Sequence, residues 1–168
     1  MVENAYFGNT LDRNTYDKAI GDIIRTAREK AKEDRHDWNN PVTRNIMLFR
    51  AMSDTLRLKN RSRERTLISY PFRYDFEDTK GEKEWSKMFV NKLLATRTGQ
   101  CHSLPLLYLI LCEETGTEAF PAYSPSHMYV KFRDNTGTWH NLELTNGRVV
   151  SDAFIAVSYT HLRAHETD

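Results

Sequence analysis

Apolar residues recur every three to four positions through the first part of the chain and every second position towards its end. Tyr16, Ala19, Ile20, Ile23, Ile24 and Ala27 fall on one side of a helical period, which predicts an amphipathic helix over 16–32. In "NNPVTRNIMLFRAMSDTL" the stripe is Ile46, Phe49, Met52 and Leu56; Asn40 suits the N-cap and Pro41 the first helical position. "RLKNRSRER" (57–65) is basic and without period. It reads as a solvated surface loop in preference to an anion or nucleic-acid contact. "ISYPFRYDFEDTKG" (68–81), punctuated by Pro71 and Gly81, suits an ordered loop or short strand. "EKEWSKMFVNKLLATR" (82–97) predicts a third helix with Trp85, Met88, Phe89 and Leu93 inward. "TGQ" is a turn, and Cys101 opens a fourth helix that ends near Gly116. Pro105 sits in its first turn, where it breaks no helical hydrogen bond. A helix apolar nearly all round belongs at the centre of a fold.

After Gly116 the period changes to two. "EAFPAY" (118–123), "HMYVKFR" (127–133) and "GTWHNLEL" (137–144) read as three short strands. Helices first and strands second predict an α+β fold, with the Cys101 helix packed on a small antiparallel sheet. The strand pattern also fixes a register. Met128, Val130 and Phe132 are even-numbered, and so are Leu142 and Leu144. Cross-strand neighbours share a face, so the even positions of both strands lie together, which requires an odd loop. Asn135-Thr136-Gly137 supplies one, with Gly137 left-handed in a bulge. The odd face then carries His127 beside Glu143. Tyr129 and Trp139 share that face and are expected to pack against the Cys101 helix.

Composition is that of an ordinary globular chain of 168 residues, enough for one domain. Lys plus Arg is 24 and Asp plus Glu 23, a net charge of +1 that points to neither nucleic acid nor an anionic membrane. No stretch is long enough to span a bilayer. "MVENAYFGNT" lacks the basic and apolar regions of a signal peptide. The expected location is therefore the cytoplasm, or the cell envelope if the true N-terminus is missing.

There are two cysteines, Cys101 and Cys112. On one helix they stand roughly 16 Å apart along its axis, too far to pair. Cys112, in mid-helix among leucines, reads as structural. Cys101 is different. A helix N-terminus carries partial positive charge, which favours the nucleophilic thiolate. Gly99-Gln100 leaves room for a substrate beside the sulfur, and the Cys101 N–H can serve an oxyanion. With His127 as base and Glu143 to orient it, Cys101 completes a cysteine-nucleophile triad. His102 points about 100° away round the helix and His140 lies on the even face. A zinc site from Cys101, His102, His127 and His140 lacks any closely spaced ligand pair, and the hairpin puts the last two on opposite faces. No metal or other cofactor is expected.

"GQCHSLPLLY", "SPSHMYVK" and "WHNLELTNG" together resemble the transglutaminase-like superfamily, a branch of the papain-like cysteine-nucleophile fold. That family has a Cys opening a buried helix, a His starting a strand, then Trp, two residues, an apolar residue, Asp, one residue and Thr. Trp139, Leu142, Glu143 and Thr145 occupy the last positions, with Glu143 where the family carries Asp. The motif-bearing resemblance covers about 85–150. Flanking segments look like bacterial members of unassigned substrate. The resemblance implies hydrolysis or transfer of a peptide or protein amide acyl group through a thioester. It also implies an additional oxyanion donor, for which Gln100, Trp85 and Tyr74 are candidates. The alternative is a catalytically inactive binding module on the same fold.

These readings make residues 1–157 a single domain, helical over 1–97 with its core over 98–157, truncated at its C-terminal end. "YTHLRAHETD" resembles translated adapter read-through in assembled environmental sequences, and 158–168 are set aside as a non-native tail.

Overall fold

Capping and periodicity fix the first long helices. A computed structural model of the chain describes residues 2–60, 65–79 and 81–160. After a short helix α1 (Val2–Tyr6), α2 runs Arg13–Glu33 and α3 Pro41–Ser53. The Asp12 carboxylate accepts from the Asn14 and Thr15 N–H groups at the start of α2; Asn40 Oδ1 accepts from Val42 N–H at the start of α3, with Pro41 at its first position. Each cap satisfies donors that a helix start leaves orphaned.

The basic segment is not the loop its charges suggest. Strand β1 (Leu56–Asn60) pairs antiparallel with β2 (Arg65–Ser69). Leu56 and Leu58 are buried while Arg57 and Lys59 point to solvent, so a period of two ran through the charges. Residues 61–64 of that segment lie outside the described residues. The 68–81 stretch contributes β3 (Arg73–Tyr74), which pairs parallel with β4 (Thr98–Gly99).

The expected helix over 82–97 is broken. Trp85–Met88 form a single 3₁₀ turn, Phe89 is extended, and only α4 (Val90–Thr96) is α-helical. Trp85 is 58% exposed rather than inward. The cause is tertiary. The Phe89 ring meets the edges of Tyr6 and Phe7 at 4.9 and 5.9 Å, and both Glu3 oxygens accept from the free N–H groups of Val90 and Asn91. Phe89, at the cap position, makes no side-chain cap, so Glu3 caps α4 from across the fold.

Helix α5 (Ser103–Glu114) is the central one: Leu104, Leu107, Tyr108, Leu111 and Cys112 are buried. The Tyr108 hydroxyl donates to Asn45 Oδ1 at 2.8 Å, which settles the one polar atom of that ring inside the core. Beyond α5, β5 (Phe120–Ser124), β6 (His127–Arg133), β7 (Trp139–Glu143) and β8 (Arg148–Val150) form a four-stranded antiparallel meander in chain order, so the class is α+β. Val130 pairs with Leu142 and Phe132 with His140, so even positions do meet. The Asp134 N–H donates to Thr138 O across a three-residue loop in which Gly137 has φ 87°, conformationally cheap for glycine alone.

Val130, Phe132, Leu142 and Leu144 join the α5 leucines in one core. The even face therefore meets the helix. Trp139, on the odd face, does not pack against it; it is 47% exposed, edge-on to Phe120 with Arg133 over its ring. Strand β8 and helix α6 (Asp152–Thr160) were not foreseen. The α6 backbone runs past 157, so helical order continues across the boundary drawn for a foreign tail; residues 161–168 lie outside the described residues. Among the described residues, no helix is long and apolar enough to cross a membrane.

Candidate active site

Three local devices set Cys101 in place. The β3–β4 pairing fixes Gly99, whose carbonyl accepts from Asp75 N–H at 2.9 Å. A Cβ built on Gly99 would lie 2.5 Å from Ser103 Oγ and 2.9 Å from Leu93 Cδ1, so only glycine fits between α4 and α5. Ser103 Oγ in turn accepts from Gln100 N–H at 2.9 Å, the reach-back half of a capping box. Helical hydrogen bonding begins one turn before the regular helix, with Leu104 N–H on Gln100 O. Pro105 has no N–H to give the Cys101 carbonyl, which is why the regular ladder starts only at Ser103. The helix thus opens within two residues of Cys101. Among the described residues the Cys101 N–H has no intramolecular acceptor.

His127 arrives on the two-residue turn Pro125–Ser126, which joins Ser124 to its partner His127. Ser126 has φ 57°, a conformation glycine usually supplies at this turn position. The imidazole Nε2 lies 2.6 Å from Glu143 Oε2, so the two odd-face residues meet as diagonal neighbours. The other carboxylate oxygen accepts from Thr145 N–H at 3.0 Å and Thr145 Oγ1 at 2.6 Å. With Nε2 engaged by Glu143, Nδ1 is the ring nitrogen that can turn to the cavity Cys101 lines. Cys101 and the His127–Glu143 pair border one cavity.

The electrostatics follow from burial and pairing. Burial disfavours a charged His127, but hydrogen bonds to Cys101 and Glu143, with the charges of both, outweigh it and hold the imidazolium to about 9. Burial likewise works to raise the fully enclosed Glu143, yet His127 and Thr145 hold its value below the ordinary one. The site favours an imidazolium and a carboxylate side by side. Cys112 is buried, and desolvation pushes its thiol up to about 12.

The three oxyanion candidates part company. Gln100 is fully buried and its amide donates to the Asp78 carbonyl, which turns it away from the thiol. Trp85 lines the same cavity as Cys101 and His127. Tyr74 is half-buried; burial, together with the charges of Cys101, Asp75 and Glu143, pushes its phenol up to about 12, and it lines a different cavity from the thiol. His140 sits at the far end of the hairpin, 2.8 Å from Asp134 and stacked on Phe132. Among the described residues no cluster of His, Cys, Asp and Glu is arranged to hold a metal.

Thr145 was visible in the sequence only as a match to the family pattern; its grip on Glu143 was not. The signal was the two-residue spacing, which lets a hydroxyl and its own N–H reach back to one carboxylate oxygen. No known family, curated protein or solved structure matches the chain.

Proposed function

We propose that the chain is a transglutaminase-like thiol enzyme that cleaves or transfers an amide acyl group through Cys101, His127 and Glu143. What supports this reading is the 2.6 Å His127–Glu143 pair, set in the wall of the same cavity that holds Cys101 at the opening of α5. The substrate is a peptide or protein amide, and no cofactor takes part in the steps.

The reaction begins with the thiol proton on His127. Cys101 Sγ bonds to the amide carbonyl carbon, and the carbonyl π pair moves to oxygen. The Cys101 N–H is the donor that would receive that charge. The oxyanion collapses, the C–N bond breaks, and His127 gives its proton to the departing amine. A thioester remains. Water or a second amine then attacks, giving its proton to His127 while the C–S bond breaks and the thiolate returns. Glu143 keeps the imidazolium paired throughout.

A binding module with an idle triad is the second reading. The commitment of the Gln100 amide to Asp78, away from the sulfur, favours it.

Iodoacetamide followed by peptide mapping separates the two. Cys101 should alkylate at least tenfold faster than buried Cys112, and His127→Ala should slow Cys101 by a similar factor. An activated acyl ester should leave an acyl mass on Cys101 that water or hydroxylamine removes. Parent protein that never exceeds Cys101→Ala in acyl transfer would transfer the lead to the binding reading.

A further inference from the structure

We infer that the acyl donor this site takes carries a large apolar side chain next to the reacting carbonyl. The inference rests on Cys101 being the acylated nucleophile. A cavity of about 580 Å³ contains Cys101 and His127 in its wall. While the thioester exists the acyl group is tethered to Sγ, so the space around the sulfur must hold it. Trp85, Phe89 and Leu106 line that space from the helical side, Tyr123 and Met128 from the sheet, and Val2 from the N-terminal helix.

Three of these are among the most solvent-exposed large apolar residues in the described chain: Val2 at 78%, Tyr123 at 70% and Trp85 at 58%. Exposed apolar side chains that converge on one concave site mark a surface that is covered in use. Charge is missing from the acyl-binding walls. Glu3 also borders the cavity, but both its oxygens are held by Val90 N–H, Asn91 N–H and Asn91 Nδ2. No lysine or arginine lines the space to receive an acidic side chain; its two imidazoles are His102 and His127, the latter already paired with Glu143. A second cavity, about 660 Å³ and bordered by Arg73, Asp75 and Glu77, lies against Tyr74 and Thr145 and does not include the thiol. The polar cavity and the thiol-bearing apolar one are thus separate.

Two acyloxymethyl ketones that differ only in a leucine or an aspartate side chain beside the ketone test the inference, with iodoacetamide as a probe too small to use the cavity. Labelling of Cys101 is followed by mass. Burying a leucine side chain supports a preference for the leucine ketone of about ten- to a hundredfold. Val2→Ser and Tyr123→Ser thin the apolar wall without adding charge and should reduce that preference, read as the ratio of the two ketone rates, about three- to tenfold. Equal labelling by the two ketones, faster labelling by the aspartate ketone, or a preference untouched by both variants overturns the apolar acyl donor while leaving Cys101 a nucleophile. Failure of iodoacetamide itself to reach Cys101 faster than Cys112 overturns the nucleophile reading instead.

Discussion

Replacing Glu143 by Gln changes one oxygen into an NH₂ group and removes one charge, and the surrounding hydrogen bonds dictate how the amide must sit. One Glu143 oxygen accepts two donors from Thr145, the backbone N–H at 3.0 Å and the hydroxyl at 2.6 Å. The hydroxyl can rotate, but the N–H cannot, so the Gln carbonyl takes that position. The NH₂ group then faces His127 Nε2, where the carboxylate oxygen lay at 2.6 Å. A donor there forces Nε2 to accept, and the ring proton moves to Nδ1. Nδ1 is the nitrogen that must take the thiol proton, so the ring is left in the wrong tautomer. The same inversion in a serine triad costs about four orders of magnitude. A thiol ionises more readily than a hydroxyl and leans less on the base, so a loss of about a hundred- to a thousandfold in acylation is expected. Glu143→Gln/Thr145→Val leaves the fixed N–H of residue 145 in place, so the amide keeps its orientation and the double variant should acylate no faster than Glu143→Gln. The assay is the rate of thioester formation on Cys101 with an activated acyl donor, read by intact mass, with Cys101→Ala as the blank. Acylation of Glu143→Gln at the parent rate would remove Glu143 from the relay. A several-fold regain in the double variant would refute the argument that the N–H of residue 145 fixes the amide.

The triad also sets a pH dependence of stability: folding raises His127 from 6.5 to about 9, worth on the order of 3 kcal/mol when the imidazolium is fully formed. That contribution is whole below about 6.5 and is lost as pH rises through about 9, whereas the share of Glu143, whose value folding lowers from 4.5, is present above 4.5 and lost only in acid below it. Urea unfolding of parent and His127→Phe should therefore differ in pH slope between pH 6 and 10, and parallel curves would show that the pair is not formed. Gly99→Ala places a methyl group 2.5 Å from Ser103 Oγ, so it should cost about 1–3 kcal/mol by overpacking and slow Cys101 acylation with it; a variant of parent stability would mean that the α4–α5 approach is looser than described.

Much of the relay was legible because it rests on short-range periodicity. Alternation in 127–133 and 139–144 dictated which residues share a face, and an odd loop with Gly137 followed from it; His127 beside Glu143 was the consequence. The apolar run after Cys101 dictated a buried helix, and a turn rich in small residues dictated where it opens. What the periodicity could not carry were contacts between segments distant in sequence. Glu3 caps α4 from 87 residues away, and that contact, with the Tyr6 and Phe7 rings on Phe89, breaks a segment whose local pattern reads as one helix and turns Trp85 outward. Gln100 looked like an oxyanion donor by position, yet the Asp78 carbonyl 22 residues earlier holds its amide. The basic 57–65 segment misled because charge masked an alternation of only two leucines, too short to outweigh composition until β2 paired with it. Residue order alone therefore determined the three long helices α2, α3 and α5, the hairpin register and the His127–Glu143 pair. Tertiary packing decided which side chains wall the cleft and which donors remain free, because those depend on what a distant segment places there.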